Sequence, residues 1–427
     1  MPVSRKRKKG RGSNRPSRPQ RRSPEQSGGQ RELAEAFSGL AAYGGRLDEH
    51  RAGLAAAVTE PMVADLVKLA ATRSDAELED ELCVRIGSML TTFDEAPIDD
   101  HVSPHIGGAA VIGAALHGVE TAEPDASPDA WRVLHAVAGI VHRPLRDRAA
   151  AQIAELGGPA GRRRSPGAAL TGPVLWTRDA YGSRFGIVAP FRTGDGPQRW
   201  YLWDIDACGY EAFTVHSRYH AGPDEALADW QAGVGSPAAD GTVLAPVDDL
   251  RLLYELLPRD PGLTRPGGEN TEQFAEYHRS RRLAEVVLDT LDRPRTAARP
   301  ALDATVAAGA FTTWLREHHP DRSTSADLDE IVAELADSWH IEGPASLYHT
   351  CSPHRVALTA AHIDNYYEAD FAADVLALLP AWAAWLADRS GTPAHLADRT
   401  VPYATGKPYE AITGPDGTPE YLARVTE

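Results

Sequence analysis

Apolar positions change period twice along the chain. In the first third they recur every three or four residues, as on one face of a helix: Leu33, Phe37 and Leu40, then Leu78, Leu82, Ile86 and Leu90 behind a capping box formed by Ser74 and Glu77. Ser-Pro steps at 103–104 and 127–128 lead into two further apolar runs. They predict helices with serine as N-cap and proline at the first helical position. Residues 31–155 therefore read as a helical domain.

Residues 156–172 are rich in Gly, Pro and Arg and read as a linker. The period then drops to two. "PVLWT", "RFGIVAPFR", "RWYLWDI" and "AFTVHSRY" are short β-branched and aromatic runs, with Gly194-Asp195-Gly196 a hairpin-type turn and "GPDEALADWQAGVG" one short helix. These predict a small antiparallel αβ domain over 173–257. Helical spacing returns in 258–427, over 272–291, 301–317 and 326–338 and again from Ser352-Pro353 onward. There Phe371, Val375, Leu378, Trp382 and Leu386 form a stripe that Pro380 is expected to split into two helices or a kink. Thr392 and Pro393 then cap a final short helix. The fold class expected is α+β: mainly helical N- and C-terminal regions flanking a small antiparallel sheet with one helix.

Length and composition refine this picture. At 427 residues the chain exceeds one ordinary core, so two or three domains are expected, and nine tryptophans spread along the body supply anchors for them. Three cysteines, Cys83, Cys208 and Cys351, are too few and too scattered for a disulfide framework and indicate a reducing compartment, the cytoplasm. Neither an apolar leader nor a membrane-spanning run is expected, because the longest apolar stretches are short or interrupted by Pro380.

Charge is split by sign. Residues 1–31 hold eleven Lys or Arg and one acid, net +10, leaving 33 bases against 59 acids, net −26, in the remainder. Residues 1–30 have almost no apolar side chains and read as a disordered basic arm. Its Arg5, Lys6, Arg7, Lys8, Lys9 and Arg11 are suited to neutralising the phosphates of a nucleic acid or the carboxylates of an acidic protein. They suit a solubilising tail equally well.

Three groupings have the residue types of a metal site. His349, Cys351 and His354 suit zinc if His340 or Cys208 supplies a fourth ligand, whereas His362, eight residues beyond His354 on one helix, lies about 12 Å too far along. The ordinary alternative is a capped helix beside a buried thiol. Asp204 and Asp206 project to one face of a strand, and His216 on a neighbouring strand would complete a set for Mg²⁺ or Mn²⁺ of the kind that activates water in hydrolases. His101 and His105 are four apart, but Pro104 places His101 outside the helix. Dinucleotide, P-loop, nucleophile-elbow, HExxH and kinase signatures are all missing, so no organic cofactor is expected.

The last ninety or so residues, with Trp339, Ser352-Pro353, Tyr366-Tyr367, Leu379-Pro380, Trp382, Trp385 and Gly391-Thr392-Pro393, resemble a helical C-terminal region common in uncharacterised actinobacterial proteins, many of which also begin with a basic arm. This resemblance spans about a fifth of the chain and implies no activity. The middle strands followed by "GPDEALADW" are similar to small antitoxin-like αβ modules, which implies partner binding. The preferred expectation is a cytoplasmic binding or interaction protein whose arm makes weak, salt-sensitive contacts. The alternative is a metal-dependent hydrolase using Asp204, Asp206 and His216.

Overall fold

The computed structural model describes residues 25–124, 126–156, 167–207, 212–239, 242–258, 270–291, 304–324, 327–340, 344–407, 412–413 and 419–421. The arm residues Arg5 to Arg11, most of the segment read as a linker, and Cys208 lie outside them. Within them the chain is a mainly helical α+β protein built around one small antiparallel sheet.

Five helices come first: α1 (Glu25–Ala70), α2 (Asp75–Asp94), α3 (Pro104–Thr121), α4 (Ser127–Ile140) and α5 (Leu145–Glu155). The start of α1 falls inside the segment read as arm. The Ser74–Glu77 capping box is fully formed, and the Ser103 hydroxyl accepts from the Ile106 N–H. Ser127 departs from expectation. It is the first helical residue of α4 rather than its cap, and that terminus has no side-chain cap.

The sheet begins earlier than expected, at β1 (Ala169–Leu170), and continues through β2 (Leu175–Arg178), β3 (Arg184–Arg192), β4 (Arg199–Asp206) and β5 (Phe213–His220). Two helices, α6 (Pro223–Val234) and α7 (Ser236–Ala239), precede β6 (Ala245–Pro246), and α8 (Leu250–Leu256) and α9 (Thr271–Thr290) follow it. Strand order is β5-β4-β3-β2-β6, with β1 also on β3. The β3–β4 turn uses Gly194 at φ +56° and closes with the Gly196 N–H donating to the Thr193 carbonyl at 3.0 Å.

Alternation along β4 assigns the two faces. Tyr201, Trp203 and Ile205 pack with Leu253, Leu283 and Val287 of α8 and α9. On the opposite face Leu202 and Val188 pack with Ala226, Trp230 and Val234 of α6. Gly186 of β3 makes this close approach possible, because a Cβ there would sit 2.9–3.1 Å from the Trp230 indole. We expect Gly186→Ala to destabilise the protein by about 1–3 kcal/mol, the usual cost of overpacking. An unchanged melting temperature would show that Trp230 is not seated against β3 in solution.

Helix α9 belongs to two cores at once. Phe274 joins the core of α1–α5, whereas Leu283, Ala284, Val287 and Leu288 join the core beneath the sheet. A Cβ at Gly87 of α2 would lie 2.7 Å from the Thr271 carbonyl oxygen and 2.8 Å from the Ala275 backbone nitrogen, so α2 and α9 touch backbone to backbone. His278 of α9 extends this contact. Its Nε2 lies 3.0 Å from the Pro104 carbonyl oxygen at the start of α3, and its Nδ1 lies 3.3 Å from Nδ1 of His142, just beyond α4. Residues 271–290, read from sequence as part of the C-terminal helical region, thus pack with the N-terminal helices and the sheet.

The remaining helices, α10 (Ala304–His318), α11 (Leu328–His340), α12 (Pro353–Tyr366), α13 (Ala369–Ser390) and α14 (Ala394–Ala404), form a separate core around Phe311, Trp339, Trp382 and Trp385. A short pair, β7 (Ile412–Thr413) and β8 (Pro419–Tyr421), follows. Of the two outcomes expected at Pro380, the split into two helices does not occur: α13 runs through it as one helix. Proline in a helix interior costs about 3 kcal/mol. Val375, Leu379, Trp382, Trp385 and Leu386 are each at most 3% exposed, and burying one such side chain returns about 1.5–3 kcal/mol. Packing therefore outweighs the lost hydrogen bond. Among the described residues α13 alone is long and apolar enough to cross a membrane, and half of its apolar window is buried inside the protein.

Candidate functional site

Strand pairing creates the first polar cluster. Asp204 of β4 and His216 of β5 are direct cross-strand partners, and His216 Nδ1 lies 3.2 Å from Asp204 Oδ2. This is the juxtaposition the alternation suggested. The occupant of Asp204, however, is a guanidinium. Arg184, which opens β3, reaches Asp204 with Nε at 2.8 Å from Oδ1 and Nη2 at 2.5 Å from Oδ2, a bidentate ion pair at 1% and 0% exposure. Burial alone would raise the Asp204 carboxyl; Arg184 and His216 override it and hold it below the ordinary carboxylate range.

Helix α6 closes the cluster from above. Its Ala226 and Trp230 face the sheet, and Asp229 and Gly233 flank that stripe at helical spacing. Asp229 lies 3.1 Å from His216 Nε2, accepts from Arg218 Nε at 3.0 Å, and lies 3.3 Å from His220 Nε2. Gly233 leaves room overhead: a Cβ there would stand 3.7 Å from Arg184, Asp204 and His216 alike. Both nitrogens of His216 therefore face carboxylates. Burial opposes the imidazolium, but Asp204 and Asp229 prevail and push His216 up to about 9. Arg184, Asp204, His216, Asp229 and Arg218 alternate in sign, and His216, already protonated at neutral pH, cannot serve there as a general base.

Asp206 does not join this group. Its Oδ2 lies 3.1 Å from Nδ1 of His354 at the start of α12, both side chains being almost fully buried. Asp179 accepts from the backbone N–H of Ser183 at 2.8 Å and of Arg184 at 3.0 Å. Its carboxyl is raised to about 6 by burial, which outweighs those two hydrogen bonds, with the Asp206 charge adding to the rise. The set Asp204, Asp206 and His216 is thus divided between two ion pairs.

The histidine and cysteine group is divided in the same way. His354 turns to Asp206, while Cys351 sits in the C-terminal core, where burial pushes its thiol up to about 12. His349 packs edge-on to Tyr348 and Trp385, and burial, then the charges of Arg389 and Arg355, lower it. Two of the proposed donors, the Cys208 residue and the His340 side chain, lie outside what is described. Ser352 does cap α12, accepting from the Arg355 N–H at 3.2 Å. At the third grouping, His101 lies 3.7 Å from Asp94 and His105 is exposed. Among the described residues no group of three or more His, Cys, Asp or Glu side chains is arranged to hold a metal ion.

Sequence reasoning nominated Asp206 and His354 for two rival sites, and the structure pairs them with each other. It missed Arg184 and Asp229. The spacing of Asp229 from Ala226 and Trp230 was a usable signal, since it places a carboxylate beside the buried stripe of α6. It also missed a second network between α2, the sheet and α9. There Arg279 binds Glu276 and Asp80, Arg199 lies 2.7 Å from Asp80, and the Tyr201 hydroxyl donates to Glu276 at 2.7 Å. Burial lifts Glu79, beside these groups, to about 7 against the opposing charges of Arg279 and Arg199. The chain matches no family model, and no curated protein or solved structure matches it.

Proposed function

We propose that this chain is a cytoplasmic binding protein, an anionic helical and αβ body whose basic N-terminal residues contact a polyanionic partner, with nucleic acid the first to test. The observation that carries this reading is the pairing of the buried acids and imidazoles: Asp204 with Arg184, His216 with both Asp204 and Asp229, and Asp206 with His354. Groups committed to such pairs act as scaffold. Two further features support it: the +10 of residues 1–31 set against −26 elsewhere, and the free thiols of the buried Cys83 and Cys351, in keeping with a reducing compartment.

The test is deletion of residues 1–24, which leaves α1 whole. Retention of the full chain on duplex DNA and on RNA should fall with rising salt, with a slope of about −0.9 per phosphate neutralised on duplex DNA, and the deletion should abolish it. Equal low-salt retention by the two proteins would remove the arm from the account.

A further inference from the structure

Beyond these pairs, one opening in the sheet domain has the features of a ligand site. Strand β6 pairs with β2 at only two positions, Leu175 with Pro246 and Trp176 with Ala245. Past Trp176 the two segments part, and a cavity of about 480 Å³ lies between the end of β2, residues 242–245 and the start of α8. Its walls include Trp176 and Phe185, whose rings lie 5.9 Å apart at 35°, together with Leu252 of α8. Its polar lining carries charge of both signs, Arg178 from β2 and Asp248 ahead of α8.

These two charges differ from those described above. Arg184, Arg199, Arg218 and Arg279 are each bound to a carboxylate, whereas neither Arg178 nor Asp248 makes an ion pair among the described residues. The neighbouring Asp249 is committed locally, accepting from the N–H groups of Arg251 and Leu252 at 3.0 Å each to cap α8.

We propose that this cavity binds a small aromatic zwitterion of the free aromatic amino acid class. The volume suits a small ligand, and the half-buried Trp176 ring, backed by the buried Phe185 and Leu252, forms a wall against which a flat apolar group can pack. Arg178 offers a planar fork for a carboxylate, and Asp248 offers a partner for an ammonium. A phosphate or other simple anion would meet the two carboxylates Asp248 and Asp249, and a simple cation would meet Arg178. A ligand carrying both charges satisfies both sides.

The experiment uses the full chain in calorimetric titrations with tryptophan, tyrosine and phenylalanine. Tryptamine, which lacks the carboxylate, and indole-3-propionate, which lacks the amine, serve as controls, and N-acetyl-tryptophan amide stands for an aromatic residue within a peptide. At least one free amino acid should bind, and loss of either charged group should weaken it by about tenfold or more. Arg178→Gln should erase the preference for tryptophan over tryptamine, and Asp248→Asn that over indole-3-propionate. Both side chains are exposed, so circular dichroism should show each variant folded as the parent is. Absence of heat with all three amino acids in the millimolar range would overturn the proposal. So would binding insensitive to both substitutions, or binding of the peptide mimic as tight as that of the free amino acid. Deleting residues 1–24 should leave these titrations unchanged, so this site and the polyanion contact stand or fall separately.

Discussion

Arg184→Met should destabilise the fold by about 3–5 kcal/mol, the usual cost of leaving one member of a buried ion pair without the other. Arg184 and Asp204 are at 1% and 0% exposure, so the carboxylate left behind is cut off from bulk water. Among the described residues His216 is the other cation beside Asp204, and it is shared with Asp229. The double variant Arg184→Met, Asp204→Leu should recover much of the loss, because apolar side chains of similar size leave no buried charge of that pair. Urea denaturation at neutral pH measures both, read as a shift in midpoint at constant slope. A loss below about 1 kcal/mol would place the pair in the class of surface salt bridges and refute the buried bidentate Arg184–Asp204 contact.

Below about pH 6.5 His142 and His278 should weaken the protein. With both rings neutral, the Pro104 carbonyl, which can only accept, takes the Nε2–H of His278, and His278 Nδ1 then accepts from His142 Nδ1–H. Burial, reinforced by the Arg281 charge, lowers His142 to about 4; burial, the adjacent His142 and Arg281 lower His278 well below the ordinary range. In the unfolded chain both imidazoles take up protons near 6.5 while the folded ones do not. Their contribution is therefore complete above about pH 6.5 and is lost as pH falls toward about 4, at up to about 1.4 kcal/mol per pH unit per imidazole.

His216 has the opposite sign. Raised to about 9, it contributes fully below about 6.5 and loses that contribution as pH rises through about 9. Urea midpoints should therefore fall above about pH 6.5 through His216; below it the two neutral imidazoles pull them down, offset in part by Glu79 and Asp179, whose raised carboxyls are protonated in the fold where those of the unfolded chain are charged. The double variant His142→Phe, His278→Leu should flatten the acid side and leave the alkaline side in place. An acid slope unchanged by that variant would assign the loss to other groups.

What the sequence made legible was local. The Ser74–Glu77 box, the Ser103 and Ser352 caps and the Gly194–Gly196 turn depend on residues within four positions of each other, and all are present. The cross-strand meeting of Asp204 and His216 was also within reach, because alternation and one strand pairing suffice. Features decided at long range were not legible. Pro380 stays helical because of the core around α13, and Asp206 finds His354 across 148 positions. The amphipathic spacing of α9 revealed a helix without revealing that its two ends serve different cores.

That division of α9 bears on how the chain is made. Gly87 leaves the ribosome nearly 190 residues before the Thr271 and Ala275 backbone that packs on it. At about 5–20 residues per second, the interval is on the order of ten to forty seconds. Throughout it the nascent five-helix segment presents the groove meant for Phe274 and the α9 backbone to whatever lies nearby, so it is then that chaperone attendance matters most.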